Sequence, residues 1–289
     1  MPNFNKIVVV GDGWGAIAVL KGLPNFKLPV YAISNDPDVL SIASNQMRED
    51  LDSFSGELLL FAGYKPIVPA SVLRKNTCLN IHYSLLPNYR GLHSTVWAIL
   101  NDEDYLGATI HVMNENIDDG PIVYQYKVAN DRIKTSTEYM ELFNARITEC
   151  IGQVLNDYID ENIHPRPQNK SLASWVGKRN EQDCMIDFAK PLAYQKAFFR
   201  ALVSPYPLPF VTHKGNKYVV TKAGYHPSNV VTHIGRILNI DDEGLWVKCE
   251  DGYLVLHELR DEDNRIVPVS VFRIGQYLNK QTGTNFFAV

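Results

Sequence analysis

Lys6-Ile7-Val8-Val9-Val10 is an unbroken apolar run of mostly β-branched residues that empties into Gly11-Asp12-Gly13-Trp14-Gly15-Ala16. It shows no polar alternation, so it suits a strand buried on both faces, which a parallel sheet covered by helices provides. A helical stretch follows through Val19-Leu20. Val30-Tyr31-Ala32-Ile33 reads as a second strand, ending at a helix start, Ser34-Asn35-Asp36-Pro37. Glu57 to Tyr64 (ELLLFAGY) is a third, and Thr77 to Ile81 a fourth. Strands spaced by helical segments predict an α/β fold with a parallel sheet. Asp38 to Phe54 reads as a mostly polar helix. Thr135 to Tyr158 reads as a long amphipathic one, with Leu142, Phe143, Ile147, Ile151 and Leu155 on the side that covers a sheet face.

Ala108 to Met113 and Ile122 to Val128 form a hairpin-like edge whose loop carries Asp118 and Asp119. Pro191 to Leu202 is a further helix. From Phe210 onward the pattern changes to short β segments with turn signals at Asp241-Asp242-Glu243-Gly244 and Glu250-Asp251-Gly252. The expected division is a large domain over 1–190, a helical linker over 191–209 and a small β-rich domain over 210–289. A chain of 289 residues can carry both.

A formal net charge of -4 offers no bulk attraction to nucleic acid or to an anionic membrane. The four cysteines, Cys78, Cys150, Cys184 and Cys249, are scattered without a CxxC pair, which argues against a disulfide framework or zinc site and suits a reducing cytosol. The longest apolar runs are too short for a bilayer, and Ile7–Val10 leads into the glycine turn rather than a leader cleavage site. The expectation is a cytoplasmic protein with no membrane, nucleic-acid or metal partner.

Candidate chemistry gathers in Leu79 to Leu92, LNIHYSLLPNYRGL. Asn80 and His82 lie two apart, so both side chains leave one face of an extended backbone. A proline-containing loop follows, and strand ends are where open α/β sheets place their chemistry. Asparagine donates to a developing oxyanion, and histidine exchanges a proton near neutral pH. Taken alone, a strand-end histidine also reads as structural, and Asp118 and Asp119 as caps of the turn before Gly120. His111, on a strand, reads as structural. Gly11, Gly13 and Gly15 make either a tight turn or a phosphate or pyrophosphate seat on free backbone N–H groups. Their GxGxG spacing misses the dinucleotide fingerprint. Trp14 stands to stack on a ligand or to pack under the helix.

Asn80-x-His82-x-Ser84-Leu85-Leu86-Pro87-x-Tyr89-Arg90-Gly91, followed by Asp118-Asp119-Gly120-Pro121-Ile122, resembles the folate-dependent formyltransferases. That family includes methionyl-tRNA formyltransferase, glycinamide ribonucleotide transformylase and the sugar N-formyltransferases. The resemblance implies a Rossmann-like, mostly parallel sheet flanked by helices, followed by a small β-rich, open-barrel-like C-terminal domain. It implies Asn80, His82 and Asp118 as the catalytic set, with Asp118 chosen over Asp119 by aligning on Gly120. Phe61, Gly63, Tyr64 and Ile67, with Asp119 and Gly120, are then expected to hold 10-formyltetrahydrofolate. Gly11, Gly13, Trp14, Gly15, Tyr89 and Arg90 are expected to hold the acceptor. Trp175 to Phe188 resembles the family's bridging segment, except that Cys184 follows Asp183 where glycine is usual.

The glycine loop as a pyrophosphate seat, the acidic balance, the compact Val30–Phe54 stretch with one arginine, and the β-rich tail together favour a nucleotide-linked amino sugar as acceptor. By family habit this is dTDP-4-amino-4,6-dideoxyglucose, for O-antigen or another surface glycan, handled by a homodimer. The alternatives are methionyl-tRNA formylation and a non-catalytic nucleotide-sugar or folate-binding protein.

Overall fold

The apolar runs become the central strands of a six-stranded mixed sheet. The structure, a computed structural model, describes residues 4–279. In chain order the first elements are β1 (Ile7–Val10), α1 (Gly13–Lys21), β2 (Val30–Ile33), α2 (Pro37–Ile42), β3 (Leu58–Ala62), α3 (Ala70–Lys75) and β4 (Thr77–His82). There follow β5 (Arg90–Gly91), α4 (Ser94–Leu100), β6 (Tyr105–Val112), β7 (Ile122–Ala129), α5 (Ser136–Ile159) and β8 (Trp175–Val176). The sheet order is β2-β1-β3-β4-β6-β7, with the first four strands parallel and β6 and β7 antiparallel.

Alternate residues of one strand feed two cores, as a doubly covered sheet requires. Ile7, Val9, Leu58, Leu60 and Leu79 pack with Val19 of α1 and Ile147, Ile151 and Leu155 of α5. Val8, Val10, Leu59, Phe61 and Cys78 pack on the other face with Val72 of α3.

Of the polar helix expected over Asp38–Phe54, only the start forms, as α2 up to Ile42. After Ile42 the chain extends along the edge strand: Asn45 O accepts from Ala32 N, and Met47 N donates to Ala32 O. The open hydrogen-bonding edge of β2 thus captures a segment that has no apolar stripe to hold a helix. Only a short 3-10 turn forms later, at Leu51–Ser53.

The remaining elements are α6 (Leu192–Ala201), β9 (Phe210–His213), β10 (Asn216–Pro227), β11 (Ile237–Asp241), β12 (Gly244–Cys249) and β13 (Gly252–Arg260). The last five form an antiparallel sheet in the order β11-β12-β13-β10-β9. Val211, Val220, Ile237, Leu245, Val247, Leu254 and Leu256 are buried beneath it. By packing, the chain forms two compact units, one ending at Lys178 and one continuing from Arg179, the latter also taking 99–103 and 131–137. Among the described residues, no helix is long and apolar enough to cross a membrane.

Candidate active site

Asn80 and His82 sit at the C-terminal end of β4, and the antiparallel register sets Asn80 opposite His111 of β6. Asp118 comes from the β6–β7 loop. Its Oδ2 lies 3.4 Å from His82 Nδ1 and accepts a 2.8 Å hydrogen bond from Gly91 N. Its Oδ1 lies 3.4 Å from His111 Nε2 and 3.5 Å from Asn80 Nδ2. Asn80 Nδ2 also lies 3.2 Å from His111 Nε2. Four side chains from three parts of the sequence therefore converge on one strand end. Asp119 is not among them.

The outer partners of the two imidazoles define their tautomers. His82 Nε2 is 2.8 Å from the Tyr89 carbonyl, so that nitrogen carries the hydrogen. In the neutral ring, Nδ1 then turns a lone pair toward Asp118. His111 Nδ1 likewise donates to Val112 O at 3.0 Å, leaving Nε2 to accept from Asn80. Burial holds His82 below the ordinary imidazole pKa, outweighing the opposite pull of the Asp118 charge. Burial also pushes Asp118 up, but its contacts with the His111 and His82 rings and the hydrogen bond from Gly91 N together bring it down to about 2. The arrangement is a carboxylate flanked by two proton-accepting nitrogens. Asp118 is 13% exposed against 7% for His82, so the carboxylate is the more open end.

Residues expected around the donor and acceptor fall elsewhere than the pattern suggests. Phe61 is 1% exposed and belongs to the sheet core, so it does not line an open slot. Its ring meets that of Tyr64 at 5.3 Å, and Ile67 is 86% exposed on the loop beyond. Gly120 serves the hairpin, because a Cβ there would stand 1.7 Å from Val112 O. Asp119 is buried and faces Arg90 at 2.8 Å, with Lys170 at 3.5 Å. Arg90 is itself buried beneath Trp175, so neither charge is presented to a ligand. Tyr89, in the left-handed region at φ 59, contributes its backbone carbonyl to His82.

The packing of the glycine turn suits the tight-turn alternative. Gly13 N donates to Asp36 Oδ2, while Asp12 Oδ1 accepts from Ser34 Oγ and Asn35 N. Two carboxylates beside the turn repel the anion it was expected to seat. Its glycines are explained by packing. A Cβ on Gly11 would lie 1.9 Å from Ala62 O, one on Gly63 2.3 Å from Asp12 O, and one on Gly15 2.7 Å from Tyr83 Oη. Trp14 is 45% exposed at the turn.

Sequence reasoning missed His111 as a site residue, and it missed Gln168, which donates from Nε2 to Asp118 O and Gly120 O at 2.7 Å each. The available signal for His111 was a polar residue alternating with apolar ones, as Thr109 also does, in the strand Ala108–Met113. Gln168 carried no comparable signal. Among the described residues, no cluster of three or more His, Cys, Asp or Glu side chains could hold a metal ion.

An asparagine donor, a buried imidazole and a carboxylate gathered at a strand end are groups that can meet an oxyanion and take up a proton. The family described as Formyl transferase matches residues 14–155, and Formyl transferase, C-terminal domain, matches residues 178–276. The chain belongs to the formyl transferase family, enzymes that move a formyl group. A methionyl-tRNA formyltransferase of Clostridium novyi is 25% identical over 235 residues, covering 79% of this chain and 76% of that one. The fold is similar to that of an N-formyltransferase from Helicobacter canadensis crystallised with folinic acid and dTDP-3-aminofucose. That likeness has TM-score 0.67 and 18% identity, covering 87% of this chain and 98% of the other. A 4-N formyltransferase from Francisella tularensis gives TM-score 0.62 at 23% identity, covering 74% and 95%.

Proposed function

We propose that this protein transfers a formyl group from 10-formyltetrahydrofolate to the amine of a nucleotide-linked amino sugar. The leading acceptor is dTDP-4-amino-4,6-dideoxyglucose, in cytoplasmic supply of surface-glycan synthesis by a homodimer. The observation that carries the transfer reading is the meeting of Asn80, His82 and Asp118 around one strand end. A folate donor suits the residues present: the half-buried Tyr64 and the exposed Ile67 follow β3 beside β4, offering apolar surface to a flat ring. The bound donor would supply an electrophilic formyl carbon.

The chain's own groups then divide the work. Asn80 Nδ2 has one proton toward His111 and a second held only weakly, at 3.5 Å, by Asp118. That second N–H is the donor for charge developing on the formyl oxygen, a role worth about 3 kcal/mol of barrier. Asp118, the more open carboxylate, meets the attacking amine and passes its proton to His82 Nδ1, whose lone pair faces it. His82 holds the proton, its other nitrogen being fixed on Tyr89 O, and would return it to the donor's nitrogen, which would leave with the electron pair of its broken bond to the formyl carbon. No covalent enzyme intermediate is needed. Burial alone lifts the Cys78 thiol to about 12, which suits a structural cysteine.

An acidic chain whose Val30–Phe54 stretch contains one basic residue, Arg48, lacks the basic arm that tRNA phosphates call for. A second reading, formylation of methionyl-tRNA, is favoured by sequence relatives such as the Clostridium novyi enzyme. One experiment separates them. The protein is incubated with 10-formyltetrahydrofolate and, in parallel, dTDP-, UDP- and CMP-linked amino sugars and methionine-charged initiator tRNA. A one-formyl mass gain on an amino sugar is expected. Formylation of the tRNA alone would overturn the sugar reading, and no transfer to any amine would overturn both.

A further inference from the structure

Residues 166–177 lie outside both matched stretches, 14–155 and 178–276, yet they touch the segments that carry Asp118, Tyr89 and Arg90. Arg166 and Ile122 exchange both backbone hydrogen bonds at 2.8 Å. Ser174 Oγ accepts from Tyr89 N and Ser174 O accepts from Arg90 N, each at 2.9 Å. β8 pairs with β5, and Gly177 O accepts from Trp97 Nε1. The contacts made by Gln168, at the centre of this strap, are the most telling. Besides its two bonds to Asp118 O and Gly120 O, its Oε1 accepts from Arg90 Nη2 at 2.7 Å and Nε at 3.3 Å. A side-chain amide has two donor hydrogens and two acceptor lone pairs, and here all four are used. Arg90 Nη2 reaches Asp119 Oδ1 as well, so one buried pair grips three consecutive residues, Asp118, Asp119 and Gly120.

That grip answers a local need. Asp118 has φ +51, a left-handed conformation that costs a non-glycine residue energy, less for aspartate than for most, and that bonds to its carbonyl help to hold. Its own carbonyl is one of the two that Gln168 holds. We propose that Gln168 is a positioning residue of the formyl-transfer centre, its amide fixing the backbone turn that aims the Asp118 carboxylate at His82. The segment around it is thereby a built part of the site rather than a connection leading away from it. Glutamate cannot substitute, since an ionised carboxylate has no hydrogens for the two carbonyls. The inference rests on the reading that Asp118 and His82 carry the transfer.

The test uses the full chain and two variants, Gln168→Ala and Gln168→Glu; the second keeps the shape and the Arg90 contact should the first fold poorly. The first readout is kcat and KM for donor and acceptor. The second is titration of the His82 ring by NMR on histidine-labelled protein, with its resonance identified by its loss in His82→Asn. The groups facing that ring are the Asp118 carboxylate from the β6–β7 loop, the His111 ring from β6 and the Tyr89 carbonyl. Both variants are expected to lower kcat roughly tenfold or more with KM changed less than about threefold. Both are also expected to lower the pH at which His82 titrates, because the displaced carboxylate no longer supports the imidazolium. Wild-type kcat and wild-type His82 titration in both variants would overturn the proposal, whatever the melting temperature does. If Asp118→Asn retains full kcat while the Gln168 variants still shift His82, the assignment of Asp118 fails but its positioning by Gln168 stands.

Discussion

Asp118 is held between two imidazoles whose outward nitrogens are both committed to backbone carbonyls, so any proton entering this cluster lands on an inward-facing nitrogen. This arrangement makes the aspartate a conduit and His82 the reservoir. Replacing Asp118 with asparagine keeps the shape and puts an amide where the conduit was; kcat is expected to fall roughly hundredfold or more, as measured by formyl transfer to the amine. The same cluster makes stability pH-dependent. His82 and Asp118 both have folded pKa values below their unfolded ones, so the unfolded chain binds more protons in acid and stability drops as pH falls. For His82 the loss sets in below 6.5; for Asp118 it sets in below 3.8 and is complete below about 2. The Asp118 part is worth about 2 kcal/mol. Urea unfolding at a series of pH values is expected to give lower stability at pH 5 than at 7.5, with His82→Asn flattening that fall and Asp118→Asn flattening the one below pH 4.

Among the elements, the β6–β7 loop is the least tolerant of change. Gly120 is in van der Waals conflict with any side chain, since a Cβ would overlap the Val112 carbonyl, which is backbone and cannot turn aside. Gly120→Ala is expected to cost about 3 kcal/mol or more in urea unfolding and to abolish turnover by moving Asp118. The sheet strands were legible because unbroken apolar runs admit little else: β1, β3 and β4 fall where those runs lie, and α5 follows its stripe. The stretch after Ile42 was not legible, because what decides it is the unpaired edge of β2, a partner distant in sequence. The same limit hid His111, whose place opposite Asn80 depends on antiparallel register, and Gln168, whose partners lie about fifty residues upstream. The glycine turn left two readings open for a different reason. Its spacing is equally that of two β–α turns packed backbone to backbone, and only the structure brings Asp36, 23 residues on, beside Gly13 and Asp12.

For the chain as a whole, charge bears on the acceptor. With a net charge of -4, binding of an amino-sugar nucleotide should depend weakly on salt, whereas a tRNA held through several phosphates would lose affinity steeply. KM for the amino sugar is therefore expected to change by less than about threefold between 50 and 200 mM salt, against losses of about a thousandfold for a macromolecular phosphate backbone making many contacts. Function at this level still depends on one proton path, and a double-mutant cycle on that path addresses it. The kcat for formyl transfer is measured for wild type, Asp118→Asn, His82→Asn and the double variant. If carboxylate and imidazole act as one relay, the double variant is expected to be no slower than the worse single variant, within about threefold. Multiplying losses, or a His82→Asn enzyme that turns over near the wild-type rate, would contradict the account.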